Sequence, residues 1–409
     1  MINAPALQTI LAVDDTPTNI SLLAGLLGEQ YKVKAATSGA KALELATANP
    51  PDLILLDIMM PGLSGYDVLE RLRADVRLRH IPVIMISAID EIESVIRCIE
   101  LGAEDYLPKP FNPTLLRTRV GASLEKKRLR DDIVRHLDQV ETELREAREI
   151  QLSMVPLDFR APTRERPVEI FATLEPAREI GGDLYDFFWG EEGRLYFVVA
   201  DVSGKGAPAA LFMARIKTMT RLVATLYRAP AGTLVEPGRI IERINEDLCC
   251  DNRQDMFVTV FFGILDPATG TLTYCNAGHN SPYVLTPNQG ASQLNGPHDI
   301  PLGITANYEY ETSTRQLEPG ECVFVYTDGV TEAMDAQSAF FTDERLRHVL
   351  TPLAGAPARA VVSEVLASVR DFAAGEPQAD DIAAMAIRLT DGRLQEFVGH
   401  ACDKLLTQT

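Results

Sequence analysis

The sequence predicts an α/β unit followed by an α+β unit, with a charged helix between them. Three observations carry this. Residues 8–120 alternate short apolar runs with helix-period stretches. Residues 121–155 are dense in Glu, Lys, Arg and Asp, with no Pro or Gly between Gly121 and Pro156. Residues 165–390 are rich in strand signals.

In the first segment the apolar runs are Ile10–Val13, Leu53–Leu56 and Val83–Ile86, with a weaker one at Lys32–Ala35. Helical patterns lie between them, such as Ile20, Leu22, Leu23, Leu26 and Leu27, then Ala42, Leu43, Leu45 and Ala46. Continuous apolar strands separated by helices imply a parallel sheet covered on both faces. In the second segment Ile133, Leu137, Val140, Leu144 and Ala147 follow a 4-3-4-3 spacing. That is a coiled-coil seam, and a single solvated connecting helix is the alternative. In the third, strand patterns at Leu195–Ala200, Phe257–Leu265, Leu272–Cys275 and Cys322–Tyr326 are interrupted by helical ones at Ala207–Tyr227, Gly238–Cys250 and Pro357–Ala373. This mixture suggests antiparallel sheets with helices. The tail, 391–409, has room for one short helix.

The chain has 409 residues, 46% of them hydrophobic and 24% charged, enough for two or three domains with their own cores. Its 39 Lys and Arg stand against 58 Asp and Glu, a net charge of −19. A field of that sign argues against nucleic acid as a partner. No apolar run reaches the roughly 18–20 residues that span a bilayer, so no membrane is expected. Met1–Ala12 lacks the features of a signal peptide. The six cysteines form no CxxC pair and read as reduced thiols of a cytoplasmic protein.

Asp14 and Asp15 follow the first strand and Asp57 follows the strand Asp52–Leu56. The carboxyl ends of parallel strands form the ligand crevice of such a sheet. Three carboxylates meeting there would hold a hard cation such as Mg²⁺. Ser87 ends the next apolar strand and Lys109 follows a further short one. A carboxylate nucleophile beside a metal and a lysine suits phosphoryl transfer.

On Asp14–Asp15, "LILLD" ending at Asp57, "MMPGLSG" at Met59–Gly65, Ser87, Tyr106 and "KPF" at Lys109–Phe111, residues 8–120 resemble the receiver domain of two-component response regulators. The resemblance implies a doubly wound five-stranded parallel sheet. It implies that Asp57 accepts phosphate from a sensor histidine kinase, and that Asp14, Asp15, Asp57 and the Met59 carbonyl bind Mg²⁺. Ser87 and Lys109 would contact the phosphoryl group, and Tyr106 would report it by rotating inward. Lys109–Pro110 is a candidate cis peptide.

Four acidic motifs lie beside strands or glycine turns of the third segment: "GGDLYD" at Gly181–Asp186, "DVSGKG" at Asp201–Gly206, "TDG" at Thr327–Gly329 and "DD" at Asp380–Asp381. Any one could be a cap or a turn. Together they make an all-carboxylate set, which favours Mg²⁺ or Mn²⁺ over Zn²⁺. Two such ions can acidify a water and hold a phosphate opposite it, so hydrolysis of a phosphate ester is expected. His279, in "NAGHN", reads either as a general acid or as a loop residue bonding to backbone. Arg178 and Lys205 lie near the acids and could meet a phosphate or stay solvated.

With "EIGGDLYDFF", "ADVSGKGAPAALFMA", "YCNAGHNSPY", "PLG", "VYTDGVTEA" and "DDIAAMAI", residues 165–390 resemble a PPM-type serine/threonine phosphatase of the SpoIIE-like branch. The resemblance implies an antiparallel β-sandwich flanked by helices and two Mn²⁺ or Mg²⁺ ions. Asp201 would bridge them, the Val202 carbonyl would ligate one, and Asp183 and Asp328 would each give a carboxylate. Asp380 best matches the family's last ligand, with Asp381 left open. "AREIQLSMVP", Ala147–Pro156, is similar to the linker before this class of phosphatase, so 121–156 is expected to be a helical coiled-coil linker and to form a homodimer. The expected substrate is a phosphoserine on a STAS-domain anti-sigma-factor antagonist in a partner-switching pathway. The rival is a non-enzymatic adaptor that binds a sigma factor or its regulator; the retained carboxylates weigh against it.

Overall fold

The computed structural model describes residues 7–87, 92–159, 167–190, 193–227 and 236–390. They fall into two compact units, one ending at Glu141 and the other starting at Thr142.

The first unit runs β1 (Thr9–Val13), α1 (Pro17–Leu27), β2 (Lys32–Ala36), α2 (Gly39–Ala48), β3 (Leu53–Asp57), α3 (Gly65–Ala74), β4 (Val83–Ser87), α4 (Ile92–Glu100), β5 (Asp105–Pro108) and α5 (Pro113–Met154). The strands form one sheet in the order β2-β1-β3-β4-β5, and every pairing is parallel. Successive strand residues face opposite ways, so each apolar run serves two cores. Leu11, Val13, Ile54, Leu56 and Met85 pack with Ala42 and Ala46 of α2 and Val68 and Leu72 of α3. Ile10, Ala12, Leu53, Leu55 and Ile84 pack with Leu23 and Leu27 of α1 and Leu116, Val120 and Leu124 of α5. This is the doubly wound arrangement the alternation predicts. β3 is one residue longer than its apolar run. Asp57 pairs with Ile86 and is the last residue of the strand, not the first beyond it.

α5 has 42 residues and is one helix, so the end of the first segment and the charged segment are a single element. Beside its buried start, Lys127 pairs with Asp52 and Asp131, Lys126 with Glu104, and Arg119 with Asp105. Farther along, Ile133, Leu137 and Val140 are 60%, 57% and 50% exposed. The seam read from the sequence is therefore a stripe that this chain leaves uncovered. The helix ends by burying Gln151, and Val155 just beyond it joins the second unit's core.

The second unit has two antiparallel five-stranded sheets. One contains β7 (Leu184–Trp189), β8 (Leu195–Val202), β9 (Val258–Asp266), β10 (Thr271–Ala277) and β13 (Ser313–Gln316), in the order β13-β10-β9-β8-β7. The other contains β6 (Val168–Glu175), β11 (Tyr283–Thr286), β12 (Gly290–Gln293), β14 (Cys322–Tyr326) and β15 (Ile382–Leu389), in the order β12-β11-β14-β15-β6. The period of two divides β14 and β15 between layers. Val323, Val325, Ala383, Met385 and Ile387 belong to the core shared with the first sheet. Phe324, Tyr326, Ala384 and Ala386 pack with α8 (Thr342–Leu350) and α9 (Ala358–Ala373). α6 (Ala207–Leu226) and α7 (Pro237–Cys250) send Phe212, Met213, Ile240 and Ile244 into the shared core. A β-sandwich flanked by helices results. Among the described residues no helix is long and apolar enough to cross a membrane. The tail, 391–409, lies outside the described residues.

Candidate functional site

At the carboxyl ends of β1 and β3, carboxylate oxygens of Asp14, Asp15 and Asp57 lie within 4.8 Å of one another. Asp14 and Asp57 are buried and Asp15 is exposed. Lys109 Nζ is 2.8 Å from Asp14 Oδ2 and 3.0 Å from Asp57 Oδ2. Asn19, absent from the sequence reading, donates its amide to both oxygens of Asp14 at 3.0 Å. Burial raises the Asp57 carboxyl above its usual range; Lys109 opposes this and the two neighbouring acids add to it. Burial pulls the Lys109 ammonium down, but its pairs with Asp14 and Asp57 outweigh that and raise it. Three carboxylates facing one ammonium leave excess negative charge, which suits a hard divalent cation.

The surrounding loops fit this arrangement. Ser87 ends β4 and its carbonyl accepts the Lys109 N–H at 2.7 Å. The Lys109–Pro110 peptide is cis. Tyr106 is 9% exposed and packs in the core beside α3 and α4. The Met59 side chain is largely exposed, so any part it plays here falls to its carbonyl. Gly65 opens α3 against β3. A Cβ there would stand 2.2 Å from the Asp57 carbonyl oxygen, too close for any other residue.

The second cluster lies where β7, β8, β14 and β15 meet their connecting turns. Asp183 immediately precedes β7, and Asp201 and Val202 end β8, two residues longer than its apolar run. Asp328 opens a short 3-10 turn after β14, and Asp380 and Asp381 immediately precede β15. Asp183 and Asp201 lie close enough for each to perturb the ionisation of the other. Thr327 Oγ1 donates to Asp183 Oδ2 at 2.6 Å. Burial, then the charge of Asp201, raises Asp183 well above the carboxylate range. Burial also raises Asp201. Asp328 is pushed up to about 7 by burial, then by Asp201, Glu332 and Asp380. Carboxyls so crowded and buried resist ionising without a cation, and hard oxygen donors fit Mg²⁺ or Mn²⁺.

The two neighbouring aspartates differ. Asp381 is buried, and its two oxygens accept the N–H groups of Ala177 and Gly182, both at 2.7 Å. Asp380 is 35% exposed along its side chain and pairs with Lys205 Nζ at 2.8 Å. Gly181 passes so close to Asp381 that a Cβ would lie 2.3 Å from Oδ2. Gly182 stands against the Val202 carbonyl oxygen, 2.9 Å from where its Cβ would be.

Other residues of the motifs lie apart from the cluster. Asp186, the second acid of "GGDLYD", is fully buried and pairs with Lys217 at 2.8 Å and Arg221 at 2.5 Å, both on α6. His279 is 1% exposed, its Nδ1 is 2.8 Å from Thr259 Oγ1, and burial pushes its pKa down to about 3. That leaves a neutral ring with no access to a substrate and favours the loop-bonding reading. The Arg178 side chain is exposed, while its carbonyl accepts from Arg148 at 3.1 Å. Sequence reasoning also passed over Gln151 and Thr327 as individual residues, although both sit in quoted motifs, and Glu332, whose charge reaches Asp201 and Asp328.

Comparison with known proteins fits both halves. The response regulator receiver domain model matches residues 10–121, and the model of stage II sporulation protein E (SpoIIE) matches residues 191–390. Protein IcfG of Synechocystis is 30% identical over 266 residues, 60% of this chain and 41% of that protein. The DNA-binding response regulator MtrA of Mycolicibacterium smegmatis is 33% identical over 171 residues, 40% of this chain and 74% of that protein. The SiaA-PP2C domain of Pseudomonas aeruginosa superposes with a TM-score of 0.54 at 20% identity, covering 62% of this chain and 98% of that one, a likeness of fold. The chain spans less than half the length of the first curated relatives it matches.

Proposed function

This chain belongs to the response regulators, with a receiver domain joined to a SpoIIE-family domain, and from that premise we propose that it is a metal-dependent protein serine/threonine phosphatase governed by phosphorylation of Asp57. The observation that carries the phosphatase reading is the convergence of Asp183, Asp201 and Asp328, whose carboxyl pKa values are raised, at the strand ends of the second unit, with the charge of Asp380 reaching Asp201 and Asp328. We take residues 8–120 as the receiver, 121–156 as the linker and 165–390 as the phosphatase.

In the receiver, Asp57 attacks the phosphoryl group of a phosphohistidine on a partner kinase. A P–O bond forms as the P–N bond breaks and the imidazole leaves. Lys109 and Ser87 meet the transferred oxygens, and Asp14, Asp15, Asp57 and the Met59 carbonyl hold Mg²⁺. Tyr106 follows the phosphoryl group inward.

In the phosphatase, Mn²⁺ or Mg²⁺, when bound, supplies Lewis acidity and lowers the pKa of an attacking water. Asp183, Asp201, Asp328, Asp380 and the Val202 carbonyl are the ligands. Thr327 fixes the rotamer of Asp183, and Lys205 stands beside Asp380 where a substrate phosphate enters. Asp381 is then a brace: both its oxygens already bind backbone. The substrate is a phosphoserine protein, and a STAS-domain antagonist is the specific candidate. The exposed stripe of Ile133, Leu137 and Val140 supports a homodimer through the linker.

The test is hydrolysis of p-nitrophenyl phosphate and of a phosphoserine protein, with Mn²⁺ and with EDTA, for wild type and Asp201→Ala. The expected result is activity that needs metal and is lost in the variant. A wild type inactive with metal in both receiver states overturns the phosphatase and leaves the adaptor.

A further inference from the structure

We propose that Gln151, at the end of α5, is a positioning residue for the acid cluster: its side-chain amide holds both main-chain polar groups of Gly181 and so sets where Asp183 stands. The inference rests on reading that cluster as the metal site.

Gln151 is 4% exposed. Its Nε2 donates to the Gly181 carbonyl at 2.6 Å, and its Oε1 accepts the Gly181 N–H at 3.1 Å. Both halves of the amide are used, so it fits in one orientation only. A glutamine taken out of water with both groups matched to one backbone residue is specific to that residue's position. On the other side of the same segment, Asp381 takes the N–H groups of Ala177 and Gly182. Residues 177–182 are thus held from two directions, by α5 and by the start of β15. Asp183 is two residues from Gly181, within about 7 Å along the chain, with no slack to absorb a shift. Gly182 meanwhile abuts the Val202 carbonyl. A movement of the last turn of α5 therefore reaches Asp183 and Val202 through Gly181. Arg148, three residues earlier on α5, touches the same segment at the Arg178 carbonyl, but from an exposed position.

The experiment uses the full chain. Gln151→Met keeps the volume and removes both hydrogen bonds; Gln151→Glu keeps the acceptor and loses the donor, and decides the matter should Gln151→Met fail to fold. Hydrogen exchange is followed over residues 177–183 and over α9, with and without Mn²⁺, alongside kcat, KM and the Mn²⁺ needed for half-maximal rate. Expected are faster exchange confined to 177–183, weaker protection there by Mn²⁺, and a half-saturating Mn²⁺ concentration about 10- to 100-fold higher, with KM nearly unchanged. Arg148→Ala moves these quantities far less. Wild-type protection of 177–183 together with wild-type Mn²⁺ dependence overturns the proposal. An inactive wild type would sink the phosphatase reading alone, because Mn²⁺ protection of 177–183 and its weakening in the variants are read without turnover.

Discussion

At the scale of single residues, Asp380 and Asp381 show how neighbours in sequence separate in role. Asn in place of Asp381 offers one acceptor where two backbone N–H groups need one each. Leaving a buried N–H unpaired costs about 1–3 kcal/mol. Asp381→Asn is therefore expected to lower the melting temperature in EDTA, where no metal contributes. Asp380→Asn touches a partly exposed pair with Lys205 and keeps an oxygen to accept the Asp381 N–H that Asp380 Oδ1 now takes at 2.9 Å. Its melting temperature in EDTA should stay near wild type while its Mn²⁺ requirement rises at least about tenfold. Equal melting temperatures for the two variants would reverse the assignment. The titration of Asp328 gives a second check. Its folded pKa is raised from 3.8 to about 7, so its contribution to stability is present below the unfolded value and is lost as pH rises through about 7. In EDTA, the melting temperature should fall between about pH 4 and pH 7 and level off above that, with a smaller fall in Asp328→Asn. Mn²⁺ should flatten the wild-type slope, since the cation favours the ionised form. The acids themselves were legible in the sequence, because each stands beside an apolar run or a glycine turn. Asn19 and Gln151 were not, because an amide that orients another residue carries no period and no charge.

At the scale of elements, the sequence read the long apolar strands and missed the short polar ones. β12 is Gly290–Gln293 and β13 is Ser313–Gln316, four residues each with little apolar content. They exist because β10 and β11 offer them edges, which is tertiary information. Asp186 shares a motif with Asp183, yet it joins β7 to α6 through Lys217 and Arg221. Its burial makes removal of one partner informative. Asp186→Leu strands the buried Lys217 and should destabilise by about 3–5 kcal/mol, whereas Lys217→Met leaves Arg221 to neutralise Asp186 and should cost less. Urea unfolding of the two variants checks the order. α5 allows a similar argument. Its apolar residues change from buried at Leu116, Val120 and Leu124 to exposed at Ile133, Leu137 and Val140. An uncovered stripe at heptad spacing is stable when a second helix covers it. Leu137→Glu should turn a dimer into a monomer in sedimentation; a wild type that is already a monomer would refute the paired helix.

At the scale of the whole molecule, the question is whether a phosphate on Asp57 is felt at Asp183. A ligand shifts an equilibrium only as far as it binds two states differently. Beryllofluoride on Asp57 adds negative charge where Asp14, Asp15 and Asp57 already crowd Lys109, so Lys109, which pairs with both Asp14 and Asp57, must redistribute its contacts. α5 packs into the receiver's core at Leu116 and reaches Gln151 without a break, so any two-state change in how its first turns pack is carried along one helix. A coupling of about 1–3 kcal/mol corresponds to a rate change of about 5- to 150-fold where the favoured state is the active one. We therefore expect beryllofluoride to change Mn²⁺-dependent hydrolysis at least about fivefold in wild type. It should have no effect in Asp57→Ala, and its effect should shrink in Gln151→Met even when the lower basal rate is divided out. The last comparison separates a route through α5 from a direct effect of added charge, since charge alone would act equally in both proteins. Equal activity of treated and untreated wild type would show that the receiver does not govern the second domain.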